Sequence, residues 1–200
     1  MKLPTTVVLA SNNAGKFREI ERLLAAHNFT IVPQSDYGVG AAAETGASFE
    51  ANALIKARHA MAATGLPAIA DDSGLAVDAL GGRPGVYSSR YAGDDASDDD
   101  NIDRLLLELG DNDQRGAAFH CVACFVAPDL ESPILTHGTW RGEVLRERRG
   151  TGGFGYDPVF LDTASGRTSA ELSPEEKNER SHRGMALREL ARALAARYDR

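Results

Sequence analysis

The sequence predicts an α/β fold built on a mixed β-sheet. Short apolar runs that are typical of strands alternate with segments whose apolar residues recur at helical spacing. Two long strand candidates, residues 117–127 and 134–144, are separated by the turn sequence PDLESP and therefore predict an antiparallel hairpin. A purely parallel sheet is not expected. The 200 residues fit one large domain or two small lobes that share a core.

The first half of the chain predicts four strands and two helices. Residues 7–10 (VVLA) indicate a buried strand, and helical spacing from Phe17 continues to about His27. A second strand is expected at residues 30–32, followed by a long helix at 48–64 between an N-cap at Ser48 and a stop at Gly65. Residues 68–70 and 75–80 predict strands on either side of a turn, DDSG, at residues 71–74.

The second half predicts a loop, the hairpin and two helical regions. GGRPG at residues 81–85 is a loop, and residues 97–109 form a helix capped by Ser97 or Asp98. SPEE at residues 173–176 is a capping box with Pro174 at the first helical position. A final helix has a core face of four apolar residues, Leu187, Leu190, Ala191 and Leu194.

Charge and hydropathy exclude several classes of partner. The net charge is -7, which argues against a nucleic-acid backbone as the main ligand, although lysines and a divalent cation could still hold a single nucleotide. No apolar run approaches the roughly 20 residues that span a bilayer, so a membrane partner is not expected. The N-terminus lacks the long apolar region of a secretory signal, and we therefore expect a cytoplasmic protein.

The two cysteines do not predict a metal or redox site. Cys121 and Cys124 lie three residues apart in an alternating apolar run, so on a strand their thiols would point to opposite faces. No second pair of cysteines completes a zinc site. We expect both to be buried and reduced.

SNNAGK, at residues 11–16, joins the first strand to the first helix. Free N–H groups at a helix start, a glycine that permits close approach and Lys16 together suit a phosphate. The segment is not a Walker A loop, because the first glycine is missing and Phe17 follows the lysine. It could equally be a strand-to-helix turn with a solvated lysine.

Acidic residues near the middle of the chain suit a divalent cation or a proton transfer. Asp71 and Asp72 follow an apolar strand, and adjacent strand residues face opposite ways, so one carboxylate can be structural while the other is functional. Glu44 could be a second metal ligand and Lys56 a phosphate contact. The alternatives are an ordinary turn at DDSG, solvated charges at Glu50 and Lys56, and Asn52 on the helix surface.

Two further segments suit a flat or carbonyl-bearing ligand. GTGGFGYDP, at residues 150–158, places four glycines beside Phe154 and Tyr156, either of which could stack on a base or plug the core. SHRG, at residues 181–184, starts the last helix with His182 and Arg183, and Lys177 comes just before it. Such a helix start suits an anionic or carbonyl group, although it also suits an ordinary cap.

These segments together resemble one family. SNNAGK, ETGASFEANALIKA, ADDSGLAVDALGGRPGVYSSRYAG, GTGGFGYDPVF and ELSPEEKNERSHRG occur in order along nearly the whole chain. They are similar to the Ham1/RdgB family of inosine and xanthosine triphosphate pyrophosphatases, the bacterial members in particular. The resemblance implies one catalytic domain over residues 1–200, with a long mixed sheet flanked by helices, two lobes and a nucleotide cleft between them, usually as a homodimer.

The resemblance also implies an activity and a set of site residues. The expected reaction is hydrolysis of ITP, dITP or XTP to the monophosphate and pyrophosphate, which removes deaminated purines from the nucleotide pool. Magnesium, with manganese as a possible substitute, would be held by Glu44 and Asp72, and Asp72 would also accept the proton of the attacking water. The expected substrate-binding residues are Ser11, Asn12, Asn13, Ala14, Gly15, Lys16, Lys56, Asp71, Ser73, Phe154, Gly155, Tyr156, Asp157, Lys177, His182 and Arg183.

Two departures and one alternative accompany the resemblance. Ala43 stands where relatives often have a second acid, so any metal contact from that position is absent. The run DDASDDDN, at residues 94–101, is more acidic than expected, and we attach no function to it. The alternative function is a related pyrophosphatase of modified nucleotides with a different base preference.

Overall fold

A computed structural model describes residues 6–11, 13–24 and 30–198 of the chain. The predicted end of the first helix near His27 lies outside these ranges. The described residues contain seven strands, which are β1 (Thr6–Leu9), β2 (Thr30–Pro33), β3 (Ala68–Val77), β4 (Gly116–Val126), β5 (Ile134–Val144), β6 (Phe160–Asp162) and β7 (Arg167–Thr168). They also contain five α-helices, which are α1 (Ala14–Leu24), α2 (Phe49–Thr64), α3 (Asp98–Leu109), α4 (Pro174–Arg180) and α5 (His182–Tyr198).

The sheet is mixed, as the sequence predicts. Its strand order within the described residues is β2-β1-β3-β4-β5-β6-β7. Strand β1 pairs in parallel with β2 and β3, whereas β6 pairs antiparallel with β5 and β7. The two long strands of the predicted hairpin, β4 and β5, are neighbours.

The chain divides into two compact units. The first contains residues 1–72, 121–138 and 183–200, and the second contains residues 73–120 and 139–182. The first unit has two hydrophobic clusters: one includes Ile20 of α1 and Leu187 of α5, and the other includes Ala53 and Ala57 of α2. The second unit has one cluster, in which Phe119, Trp140 and Phe160 have ring contacts with one another.

Helix ends follow the sequence signals. Ser48 caps α2 by accepting a hydrogen bond from the Ala51 N–H, and Gly65 ends the helix in the left-handed conformation. Ser97 and Asp100 form a capping box at the start of α3. The predicted capping box at SPEE starts α4, which ends at Arg180, so the C-terminal region contains two helices and α5 begins at His182.

The predicted turn at DDSG is wrong. Residues 71–74 lie inside β3, which runs unbroken from Ala68 to Val77, and residues 78–80 form a 3-10 helix instead of continuing the strand. Aspartate, serine and glycine are common in turns, but here partly buried lysines compensate both carboxylates within an extended strand.

Both cysteines are buried and free, as predicted. Cys121 belongs to the cluster beneath α1 and α5, whereas Cys124 belongs to the cluster beneath α2. The two thiols therefore face opposite sides of β4 and cannot share a metal ion. Burial raises the pKa of each thiol to about 12.

Gly142 provides a test of the β5–β6 pairing. A Cβ at this position would overlap the Leu161 carbonyl oxygen and lie 2.7 Å from the Phe160 ring. We expect Gly142→Ala to lower the free energy of unfolding by about 1–3 kcal/mol, as measured by urea denaturation. Gly40→Ala is the control, since a Cβ there meets open space. Equal unfolding midpoints for the two variants would contradict the pairing of these strands.

Candidate active site

Asp71 and Asp72 lie at adjacent positions of β3, and their carboxylates are both buried. Because neighbouring strand residues point to opposite faces, the two side chains have different partners. Asp71 pairs with Lys16 and Arg183, whereas Asp72 pairs with Lys56. The sequence prediction that the two acids serve different faces is confirmed.

The Asp71 face combines two carboxylates with two cations. One oxygen of Asp71, Oδ2, accepts hydrogen bonds from the Lys16 ammonium at 3.1 Å and from Arg183 Nε at 3.2 Å. A terminal nitrogen of Arg183 also donates to Glu19 Oε2. Burial alone would raise the pKa of Asp71, but the cations Lys16, Arg183 and Lys56 hold it well below its usual value. Asp71 is therefore a permanent carboxylate.

The Asp72 face brings two carboxylate oxygens onto one ammonium. Lys56 Nζ of α2 lies 2.7 Å from Asp72 Oδ1 and 2.8 Å from Glu44 Oε1. Burial lowers the pKa of Lys56, but Asp72 and Asp71 outweigh it and raise that pKa above its ordinary value. For Asp72, burial raises the pKa of the carboxyl, although Lys56 acts in the opposite direction. Lys56 is thus not the solvated charge that the sequence left open, whereas Glu50 is exposed.

Asn52 is a residue of this site, and the structure excludes the helix-surface position that the sequence left open for it. Its side chain is fully buried. Its amide nitrogen donates to Asp72 Oδ2 at 3.2 Å, and its amide oxygen accepts the Gly46 N–H at 2.8 Å. Asn52 therefore holds Asp72 and the segment after Glu44 together. Its four-residue spacing from Lys56 on α2 is the only signal in the sequence, because residues at i and i+4 share a helix face.

The SNNAGK segment folds as the start of α1. Asn13 Oδ1 accepts the Lys16 backbone N–H at 3.0 Å, and Ser11 Oγ accepts the Asn13 N–H at 3.3 Å. These contacts cap the helix and hold the backbone of Lys16 in its first turn. Asn12 lies outside the described residues. Glu19, which sequence reasoning missed, follows Lys16 by three residues and so lies on the same helix face.

The glycine-rich segment of the second unit is organised by Asp157. Its Oδ2 accepts hydrogen bonds from the Lys177 ammonium at 2.6 Å and from the Phe154 N–H at 2.9 Å. Its Oδ1 accepts a hydrogen bond from the Ser169 hydroxyl at 2.8 Å. Lys177 Nζ also lies 4.8 Å from the centroid of the Phe154 ring. A donor-only ammonium and an aromatic face are therefore held at a fixed separation.

Phe154, Tyr156 and His182 have different environments within this unit. Phe154 is half-buried, whereas Tyr156 belongs to the hydrophobic core and its hydroxyl donates to the Ser88 carbonyl oxygen at 2.8 Å. Of the two uses that the sequence left open for these aromatics, filling the core is the one that applies to Tyr156. The His182 ring is buried and stacks on Phe119, with 4.7 Å between the ring centroids.

The acidic stretch at residues 94–103 also supports the glycine-rich segment. Asp98 Oδ2 accepts the Gly155 N–H at 2.7 Å, and Arg148 pairs with Asp99 and Asp103. Sequence reasoning attached no function to this stretch, and nothing in its composition distinguishes Asp98 from its acidic neighbours. Only the fold identifies the aspartate that reaches the loop.

The donor set of the first unit fits a divalent cation that is shared with a ligand. No group of three or more His, Cys, Asp or Glu residues able to hold a metal occurs within the described ranges. However, Glu44 and Asp72 direct hard oxygens at one positive charge. Magnesium commonly binds through one or two carboxylates and completes its shell with substrate phosphates and water. The two carboxylates are sufficient for that mode of binding.

The fold and these contacts define a class: an α/β protein whose mixed sheet presents buried carboxylates to lysines from flanking helices. Comparison with known proteins identifies the family. The Ham1 family model matches residues 7–193. The chain belongs to the Ham1 family.

Individual relatives cover nearly the whole chain. A dITP/XTP pyrophosphatase from Methylococcus capsulatus is 58% identical, over 95% of this chain and 96% of the relative. A dITP/XTP pyrophosphatase from Escherichia coli strain K12 is 54% identical, over 94% of this chain and 97% of the relative. The structure of a HAM1 protein from Coxiella burnetii matches with a TM-score of 0.88 at 47% identity, over 96% of this chain and 98% of that chain.

Asn52 is the subject of the prediction for this site. Asn52→Ala would leave the buried Asp72 Oδ2 and the partly buried Gly46 N–H each without one hydrogen bond. We expect the free energy of unfolding to fall by about 1–3 kcal/mol, as measured by urea denaturation. Glu50→Ala, at an exposed position of the same helix, should change it by no more than about 0.5 kcal/mol. An Asn52→Ala protein as stable as the Glu50→Ala control would contradict the assigned contacts.

Proposed function

We propose that the protein hydrolyses non-standard purine nucleoside triphosphates, namely ITP, dITP and XTP, to the nucleoside monophosphate and pyrophosphate. The observation that carries this proposal is the Glu44–Lys56–Asp72 cluster in a chain of the Ham1 family. The relatives with 53–58% identity that are named dITP/XTP pyrophosphatases support the same reaction. Such an activity removes deaminated purines from the nucleotide pool.

The triphosphate is bound at the start of α1. Ser11 to Lys16 provide N–H groups and the Lys16 ammonium, and Lys56 provides a second cation. A triphosphate carries about four negative charges, which repel an incoming nucleophile and must be neutralised before attack. The position of the segment at the start of α1 and the partly buried ammonium groups of Lys16 and Lys56 support this role.

Glu44 and Asp72 hold magnesium, for which manganese can substitute. When bound, the metal ion supplies Lewis-acid polarisation of the phosphate oxygens. Lys56 occupies the same pair of oxygens. We therefore propose that Lys56 turns from these carboxylates towards phosphate when the substrate complex forms.

Asp72 accepts the proton of the attacking water. Asn52 fixes the direction of Asp72 Oδ2, and burial raises the pKa of the Asp72 carboxyl, which makes it a stronger base. Water then attacks the α-phosphorus, the bond to the bridging oxygen breaks, and pyrophosphate leaves. Asp71 and Ser73 flank the catalytic base, Asp72, in the sequence.

The nucleobase of the substrate is selected by hydrogen-bond donors that match a 6-oxo group. Lys177 has N–H donors and no acceptor, so it pairs well with the oxo group of inosine or xanthosine and poorly with the 6-amino group of adenine. Phe154 offers a surface for stacking, and Asp157 holds both residues in place. Gly155 and His182 complete the proposed base-binding set, whereas the ring of Tyr156, which the sequence also suggested for it, belongs to the hydrophobic core.

The setting of the enzyme is also part of the proposal. We expect a cytoplasmic homodimer that acts on a small-molecule substrate, without a nucleic-acid or membrane partner. Of the helices that the structure describes, none has both the length and the apolar character required to cross a bilayer.

The products of hydrolysis test the proposed reaction. With magnesium, ITP should yield monophosphate and pyrophosphate, with kcat/KM at least about tenfold above that for ATP, because adenine forfeits at least one matched hydrogen bond. Orthophosphate and pyrophosphate are measured separately in a panel that includes modified pyrimidine triphosphates. Sequential release of orthophosphate through inosine diphosphate would exclude the proposed bond cleavage. A preference for a pyrimidine would favour the alternative base specificity.

Asp72→Asn tests the proposal that Asp72 is the catalytic base. The substitution keeps the side-chain shape but removes proton acceptance, so turnover of ITP should fall by at least about a hundredfold. Circular dichroism and urea denaturation establish that the variant is folded. The control is Asp36→Asn, which changes an exposed acid in the same unit. Near-normal turnover in folded Asp72→Asn would place the base elsewhere.

A further inference from the structure

Phe154 lies between two glycines of the glycine-rich segment. Gly153 and Gly155 have φ angles of 78° and 59°, in the left-handed region that glycine adopts readily. Glycines on both sides give the backbone around Phe154 wide conformational freedom. Contacts with other elements of the second unit must therefore determine where its ring points.

Two carboxylates from different elements hold the peptide groups on either side of the Phe154 Cα. Asp157 Oδ2 accepts a hydrogen bond from the Phe154 N–H at 2.9 Å, and Asp98 Oδ2 accepts one from the Gly155 N–H at 2.7 Å. The first bond restrains the peptide plane before the Cα, and the second restrains the plane after it. Because each peptide group is planar, the two bonds together fix the direction in which the side chain leaves the backbone.

Asp98 is itself held in place by the start of α3. It is the first residue of that helix and follows the Ser97 cap, which forms a capping box with Asp100. Asn101 in the next positions is buried, and its side-chain oxygen accepts the Ala92 N–H at 2.8 Å, which ties the first turn to the preceding chain. A carboxylate is favoured at the start of a helix and accepts stronger hydrogen bonds than a neutral oxygen.

The same helix also contacts the chain just before the glycine-rich segment. Arg148 pairs with Asp99 at 3.3 Å and with Asp103 at 2.8 Å. Helix α3 therefore has contacts both before the segment and, through Asp98, within it. The place of the Phe154 ring thus depends on this helix as well as on Asp157.

We propose that Asp98 is a positioning residue for the nucleobase: by holding the peptide plane between Phe154 and Gly155, it directs the Phe154 ring towards the base. The inference rests on the proposed function in taking Phe154 and Lys177 as contacts of the base. It assigns a role to one residue of the acidic stretch at 94–103. Loss of this role should weaken the binding of ITP without affecting a phosphate chain that has no base.

Steady-state kinetics with ITP test this role in wild type, Asp98→Ala, Asp98→Asn and the control Asp95→Ala. Asp95 is an exposed acid of the same stretch, so its substitution causes the same change of charge. We expect Asp98→Ala to raise KM about fivefold and to leave kcat within about twofold, as for the loss of one hydrogen bond that orders the binding site. Asp98→Asn keeps an acceptor oxygen and should restore KM to within about twofold of wild type.

Inorganic tripolyphosphate, used as a competitive inhibitor with magnesium, provides the comparison without a base. Its inhibition constant should agree within about twofold among the four proteins, and urea denaturation establishes that each is folded. A parallel loss of tripolyphosphate affinity in Asp98→Ala would overturn the inference, because the effect would not be confined to the base. Equal KM values for Asp98→Ala and Asp95→Ala, or for Asp98→Ala and Asp98→Asn, would also overturn it.

Hydrogen exchange of the Gly155 amide, followed by NMR, gives a readout that does not depend on activity. In Asp98→Ala this amide should exchange at least about fivefold faster, because its acceptor is gone. The Leu75 N–H, which donates to Ser88 Oγ at 2.9 Å, is the internal reference and should be unchanged. Unchanged exchange at Gly155 would overturn the inference. Failure of the wild-type protein to release pyrophosphate from ITP would instead refute the proposed function, whatever the exchange result.

Discussion

Burial of two adjacent carboxylates in β3 is the constraint on which the rest of the first unit depends. An uncompensated buried charge is costly, so each face of the strand must supply a cation. Lys16 of α1 and Arg183 of α5 compensate Asp71 on one face, and Lys56 of α2 compensates Asp72 on the other. The helices that cover the sheet are therefore held to it by charge as well as by the apolar clusters beneath them.

The two faces have opposite effects on their carboxylates, and this difference suits a reaction with phosphate. The pKa of Asp71 is lowered by its cations, so Asp71 remains a fixed negative charge. Burial raises the pKa of Asp72, whose oxygens are directed by Asn52 and Lys56. One acid thus supports lysine positions, and its neighbour is available for proton transfer and metal binding, which is the division of roles that we propose for this enzyme.

Local sequence signals predicted much of this architecture because the relevant interactions are local. Helical spacing and the caps at Ser48, Ser97 and Ser173 predicted where helices begin. Strand alternation predicted that Cys121 and Cys124 lie on opposite faces of their strand. The errors occur where distant residues decide the outcome. DDSG is typical of a turn, and only the fold brings cations from three helices against it. The position of Asn52 stayed open in the sequence because its partner Asp72 lies 20 residues away.

The central proposal is that Glu44 and Asp72 would hold a divalent cation in the triphosphate complex, with Lys56 turned from these carboxylates towards phosphate. Electron paramagnetic resonance of Mn²⁺, titrated with a non-hydrolysable α,β-methylene analogue of ITP, measures this directly. We predict one tightly bound Mn²⁺ per chain, with affinity reduced at least about tenfold in Glu44→Gln and in Asp72→Asn and unchanged in Glu50→Gln. Equal Mn²⁺ affinity in all four proteins would contradict the claim.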